Sequence, residues 1–279
     1  MQSESAIALD TAALEMAAIE TPGLDAAPYR DMLDRFASEL SMRLKPAAFR
    51  AATVRERLPQ ATTDGRQFVR LLNQYLFEEL GFRGNEANYE DPRNSCLDIV
   101  LDRRTGIPIT LSVVYIEVAR RLGRPVFGIG LPGHFVVQYN DGDYSIYIDP
   151  FHAGKLLTEA DCHELAREIT GVDSSAEPST LAPVSNRYIL VRMLNNMRSA
   201  YFRAEQFGKM AQVMDLLVDA FPRNADYFKA RGVARLHLRE FSAAKIDLEM
   251  YLRYSPDAED RDKVTKQLEA IHRWLARLN

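Results

Sequence analysis

A chain of 279 residues, 47% apolar and 27% charged, can bury one or two cores. Its 35 Lys and Arg against 39 Asp and Glu lack the basic excess that polyanion binding needs, which argues against nucleic-acid partners. No apolar run approaches bilayer-spanning length, so no membrane partner is expected. Two cysteines, Cys96 and Cys162, cannot build a disulfide framework.

The first basic residue, Arg30, follows Glu4, Asp10, Glu15, Glu20 and Asp25, the opposite of a targeting leader, so a cytoplasmic protein is expected. Ile7, Leu14 and Ile19 among alanines predict a helix over 6–20, stopped by Pro22-Gly23. Tyr29, Met32, Leu33, Phe36, Leu40 and Leu44 predict an amphipathic helix over 28–44. A third is predicted over 64–80, ended by Gly81. The next opens at Asn94 or Ser95 and ends at Gly106. Pro108 then stands where a helix starts, over about 109–122. The period changes to strand-like runs at 126–130, 134–139 and 144–148, with Asp141-Gly142 as a hairpin turn. A helix over about 158–169 closes this part.

Charge and composition divide the chain. Residues 187–279 hold 17 basic and 12 acidic side chains, net +5, and the remainder is net −9. The change follows a Ser/Pro-rich stretch with no apolar period, which reads as a linker. Beyond it the pattern is all helical, ending in a helix over about 259–277. Phe207 to Phe241 and Pro222 to Pro256 are each 34 residues, with Met214/Leu248 and Leu217/Tyr251 equivalent between copies. That is the tetratricopeptide period. Met193, Met197, Met210 and Met214 are spaced as core fillers.

Residues 84–123 read GNEANYEDPRNSCLDIVLDRRTGIPITLSVVYIEVARRLG, followed by LPGHFVV and YIDPFHAG. With ELGFRGN before them and the repeats after, these motifs resemble the bacterial SirB-type family across essentially the whole chain. The resemblance implies an α+β fold: a helical leader over 1–88 and a transglutaminase-like (papain-like) core with a small antiparallel sheet over 89–173. A linker over 174–186 and all-α repeats over 187–279 complete it. The wider superfamily implies a Cys–His–Asp relay in which a thiolate opening a helix attacks an amide, with His and Asp on adjacent strands. His134 fits the His position and Asp149 the Asp position, 15 residues apart.

At the nucleophile position, after Gly106, stands Pro108, which cannot attack a carbonyl. Thr110 and Ser112 are the nearest hydroxyls, with no motif behind them. Cys96, near the start of the preceding helix, is either a relocated nucleophile or a small apolar filler. His134 and Asp149 are either a functional pair or a brace between strands. His152 would complete a metal trio; with no fourth ligand in the pattern, no metal or other cofactor is expected and His152 reads as a solvated loop residue. The pairs Arg103-Arg104 and Arg120-Arg121 read as complements to helix C-termini.

In the repeats, register places Arg192, Asn195, Arg203 and Lys229 along the concave groove, a basic lining that suits an acidic peptide or protein partner. The expected function is a protein-interaction module beside a degenerate transglutaminase-like core. The alternatives are a thiol-dependent amide hydrolase or acyl transferase built on Cys96, His134 and Asp149, and a ligand- or metal-binding domain that reuses the His134/Asp149 cleft.

Overall fold

The computed structural model describes residues 7–54, 63–171 and 181–276. The chain forms two compact units, Met1–Met193 and Leu194–Asn279. Residues 174–180 of the expected linker lie outside the described residues. Those that follow are docked: Val184 donates its N–H to Gly128 O at 2.9 Å, Pro183 bridges Ile129, and Leu181 is buried. No helix among the described residues is long and apolar enough to cross a membrane.

The first unit opens with α1 (Leu9–Ala17) and α2 (Ala27–Val54), the latter continuing ten residues past its expected stop. α3 (Thr63–Asn73) runs on as a wider π-type turn over Gln74–Glu79, closed by Leu80 N–H on Tyr75 O at 2.9 Å. A 3-10 turn over Pro92–Ser95 leads into the short α4 (Leu97–Arg103). The helix expected at Asn94 therefore starts at Leu97, with Cys96 as its N-cap. Between these elements, β1 (Arg83–Gly84) pairs in parallel with β2 (Thr105–Gly106).

At the centre lies α5 (Pro108–Arg121), with Pro108 in its first turn and every residue from Pro108 to Ala119 buried. A helix buried on all sides over three turns, with Thr110, Ser112 and Glu117 buried among its apolar residues, is enclosed by its neighbours. Its C-terminal arginines do more than complement the dipole. Arg121 bonds Glu117, Asp10 and Asp34, tying α5 to α1 and α2. Arg104, in the left-handed region at the end of α4, lays its guanidinium over Phe36 and Phe82.

The sheet is an antiparallel meander of β3 (Val126–Ile129), β4 (Val136–Asn140), β5 (Ser145–Asp149) and β6 (Lys155–Leu157). The β4–β5 hairpin pairs Val137 with Ile148 and Asn140 with Ser145; at its turn Asp141 Oδ1 accepts from the N–H groups of Asp143 and Tyr144. β6 is three residues long, Lys-Leu-Leu, too short to show an alternating pattern, so it carried no signal at sequence level. α6 (Glu159–Thr170) follows, with a reciprocal capping box between Thr158 and Asp161 and Gly171 as its left-handed stop.

α7 (Asn186–Arg203) spans the boundary between the units. The second unit continues with α8 (Phe207–Ala220), α9 (Ala225–His237), α10 (Phe241–Tyr254) and α11 (Arg261–Ala276). The 34-residue period is repeated in the backbone. Glu205 and Arg239 both have positive φ, at 54° and 61°. The following caps Gln206 and Glu240 match within a few degrees, as do the C-caps Phe221 and Ser255. Small residues matter where helices touch: a Cβ on Gly232 would lie 3.1 Å from Leu248 Cδ2. Met193, Met197, Met210 and Met214 are all buried.

Candidate functional site

The β4–β5 register delivers the site. His134 lies three residues before Val137, and Asp149 one residue after its partner Ile148, so the hairpin folds the two side by side. His134 sits in the turn ahead of β4 rather than on the strand, following Gly133 at φ +70°. Its Nε2 is 2.9 Å from Asp149 Oδ2, and both side chains are buried.

His152 joins them: its Nδ1 is 2.7 Å from the same Asp149 oxygen. The solvated loop residue expected from the sequence is therefore anchored, although its side chain remains 44% exposed. The cause is the tight turn after β5. Asp149 Oδ1 accepts from the N–H groups of Phe151 at 3.0 Å and His152 at 3.4 Å, and Ala153 and Gly154 follow with positive φ. That folds residue 152 back over residue 149. One ligand-capable atom from each of His134, Asp149 and His152 lies within 4.8 Å of the other two.

Burial alone pushes the Asp149 carboxyl upward. The hydrogen bond and charge of His134, then those of His152, outweigh it and hold the group below the ordinary carboxylate range. A cavity of about 300 Å³ opens beside the trio, lined by Asp149, His152, Lys155, Asp161, Glu164 and Glu168 among others.

Cys96 is at a helix start, as the sequence indicates, but its sulfur is fully buried and lies 3.8 Å from Pro92 O of its own turn. The clustered trio contains no cysteine. Thr110 and Ser112 are buried inside α5, Thr110 donating to Asn94 O at 2.6 Å. Cys162, buried among Ile129, Leu131, Val136 and Leu157, has its thiol pushed up to about 12, by burial first and then by Asp161, Asp149 and Glu159. A thiol in that state is not a nucleophile at neutral pH.

Two residues that the sequence did not single out for this site hold the turns around it. Asn73, just ahead of the π-type turn, donates Nδ2 to Gly154 O at 2.7 Å and accepts from Tyr115 Oη at 2.9 Å. Arg192, assigned from repeat register to the groove, instead donates to the carbonyls of Leu131 at 2.8 Å and His134 at 2.5 Å, with its guanidinium over Phe135. It braces the turn carrying His134. No local pattern signals either contact, since the partners are tens of residues away.

In the second unit, Arg203 and Lys229 line one cavity of about 460 Å³, with Arg198, Asp226 and the half-exposed Phe202. Lys229 also pairs with Asp260 at 2.7 Å and lies over Tyr251. Asn195 is 3.5 Å from Tyr227 Oη. The sequence reading missed an ion network at the helix contacts: Arg231 and Arg235, one turn apart on α9, each bond Asp215 and the fully buried Asp247.

Residues 27–195 match the model of the transglutaminase-like superfamily, and residues 197–269 match a tetratricopeptide repeat. A UPF0162 protein of Xylella fastidiosa (strain Temecula1) is 40% identical over 200 residues, 71% of each chain. A UPF0162 protein of Vibrio cholerae is 29% identical over 237 residues, 84% of this chain and 83% of that one. The mouse F-box only protein 21 is 30% identical over 184 residues, 62% of this chain and 28% of that protein. No solved structure matches. With the His–Asp hairpin, the buried central helix and the 34-residue repeat in place, the chain belongs to the transglutaminase-like superfamily, in its SirB-type family with tetratricopeptide repeats.

Proposed function

We propose that this protein is an interaction module that recognises an acidic polypeptide segment through its tetratricopeptide unit, beside a transglutaminase-like core without thiol catalysis. The observation that carries the reading is the 460 Å³ cavity in the second unit, whose lining holds Arg198, Arg203 and Lys229 against one carboxylate, Asp226, together with the exposed ring of Phe202. Cationic donors around an apolar floor suit a carboxylate-bearing peptide with one apolar side chain. Pro108 at the helix-opening position and the complete burial of Cys96 support a core that performs no acyl transfer.

The test is fluorescence titration against an array of acidic and basic peptides, with Arg203→Glu/Lys229→Glu as the variant. Selective binding of acidic peptides that weakens by about tenfold or more in the variant supports the assignment. Equal binding by variant and parent removes it.

The second reading, an amide hydrolase or acyl transferase using Cys96, His134 and Asp149, is favoured by the 2.9 Å His134–Asp149 pair. A thiol-directed amide electrophile separates the two. The interaction reading expects no labelling of the native chain, whereas labelling lost in both Cys96→Ala and His134→Ala would establish the enzyme.

A further inference from the structure

We propose that His134, Asp149 and His152 form a binding site for one divalent transition-metal ion of the zinc class, reached from the acidic cavity beside them. Two imidazoles and one carboxylate are a donor set that zinc accepts, with a fourth position left for water or an exogenous ligand.

Their arrangement is convergent rather than a chain. In a simple relay each ring nitrogen finds its own acceptor. Here His134 Nε2 at 2.9 Å and His152 Nδ1 at 2.7 Å both address a single oxygen, Asp149 Oδ2. The three donor atoms lie within 4.8 Å of one another. Donors around a tetrahedral zinc stand about 3.3 Å apart, given bonds of roughly 2.0 Å, so a small rearrangement of the exposed His152 ring accommodates the ion.

The surroundings are those of a supported site. Asp149 Oδ1 is occupied by the Phe151 and His152 amides, which leaves Oδ2 as the donor. The His134 backbone is clamped by Arg192, and Phe151 packs edge-on against the His134 ring at 6.1 Å between centroids. Access is through the 300 Å³ cavity, whose lining sets Asp161, Glu168 and Glu164, the last paired with Arg167, against one lysine, Lys155. That balance draws cations toward the trio. The inference is independent of the peptide-binding reading, because all its residues belong to the first unit.

The experiment uses the untagged full-length chain, stripped by chelator and titrated with Co²⁺ while visible absorption is recorded. One Co²⁺ per chain is expected, with ligand-field bands of a four- or five-coordinate site that Zn²⁺ abolishes. His152→Ala removes a donor at the surface and leaves the buried pair intact. It is expected to weaken Co²⁺ binding by about tenfold or more and to change the bands, with circular dichroism unchanged. Absence of such bands, or bands and affinity identical in His152→Ala, would overturn the proposal. Asp149→Asn is the second variant; should it retain full Co²⁺ affinity, the carboxylate is not a ligand and the site as assigned is wrong.

Discussion

Asp149 organises five groups: its carboxylate takes two imidazoles on one oxygen and two backbone amides on the other, and its main-chain carbonyl accepts the Gly154 N–H. Because folding lowers its pKa, the unfolded chain takes up the proton first as pH falls. Its contribution to stability is complete above the unfolded value, about 3.9, and is lost as pH drops through the lower folded value. Urea unfolding from pH 7 to pH 3 should therefore show Asp149→Asn less stable at neutrality by about 1–3 kcal/mol, with a flatter acid limb than the parent. Parallel acid limbs would mean that the carboxylate is not stabilised by its partners. Gly154 is equally constrained. It has φ +75°, and a Cβ there would lie 2.5 Å from Phe77 Cε2 and 2.7 Å from Asn73 Cγ. Gly154→Ala is expected to cost about 2–4 kcal/mol from backbone strain and overpacking together, read as a drop in Tm. His134 and Asp149 were recognisable in the sequence because LPGHFVV and YIDPFHAG resemble the superfamily's His and Asp motifs, and their 15-residue separation suits neighbouring strands. The role of His152 was not, since it depends on the left-handed turn at 153–154 that no hydrophobic period encodes.

Among the elements, α9 and α10 show how the repeat is held. Gly232 admits Leu248 at close range, and beside that contact Arg231 and Arg235 enclose the fully buried Asp247, with Asp215 completing the network from the surface. Removing one partner of a buried ion pair leaves the other charge uncompensated. Asp247→Ala should cost about 3–5 kcal/mol, whereas Asp215→Ala, at a half-exposed position, should cost about 1 kcal/mol or less. Chemical denaturation of the two variants checks the contrast, and equal losses would show that the network is not centred on Asp247. The helices themselves were legible: apolar spacing and Pro108 marked α5 closely, and α6 lies within one residue of its expected bounds at each end. The π-type turn at Gln74–Glu79 was not. Its apolar spacing reads as continuous helix, and the turn is stabilised by distant partners, with Tyr75 Oη bonded to Glu39 at 2.8 Å and Phe77 stacked on Tyr115.

On the scale of the whole molecule, each compact unit carries its own reporter. Both cysteines are buried in the first, and the single tryptophan, Trp274, packs on Phe241 in the second at 4.2 Å between centroids. Native protein should expose no thiol to a water-soluble disulfide reagent and two after denaturation. Along a urea series, thiol exposure and Trp274 fluorescence should follow different midpoints, as two units with separate cores predict. Superimposable curves would show one cooperative unit. The sequence by itself determined the family, the order of the helices and of the first three strands of the meander, the 34-residue repeat and the His134–Asp149 pair. All of these are written in short-range periods, caps and motifs. Only the tertiary structure decided that Cys96 is sealed from solvent, that Arg192 serves the His134 turn, that Asn73 holds the Gly154 carbonyl, and that His152 shares the Asp149 oxygen. Most of these contacts join residues 58 or more positions apart, or hang on a left-handed turn. They arise when packed elements meet, and local pattern carries no information about which elements those will be.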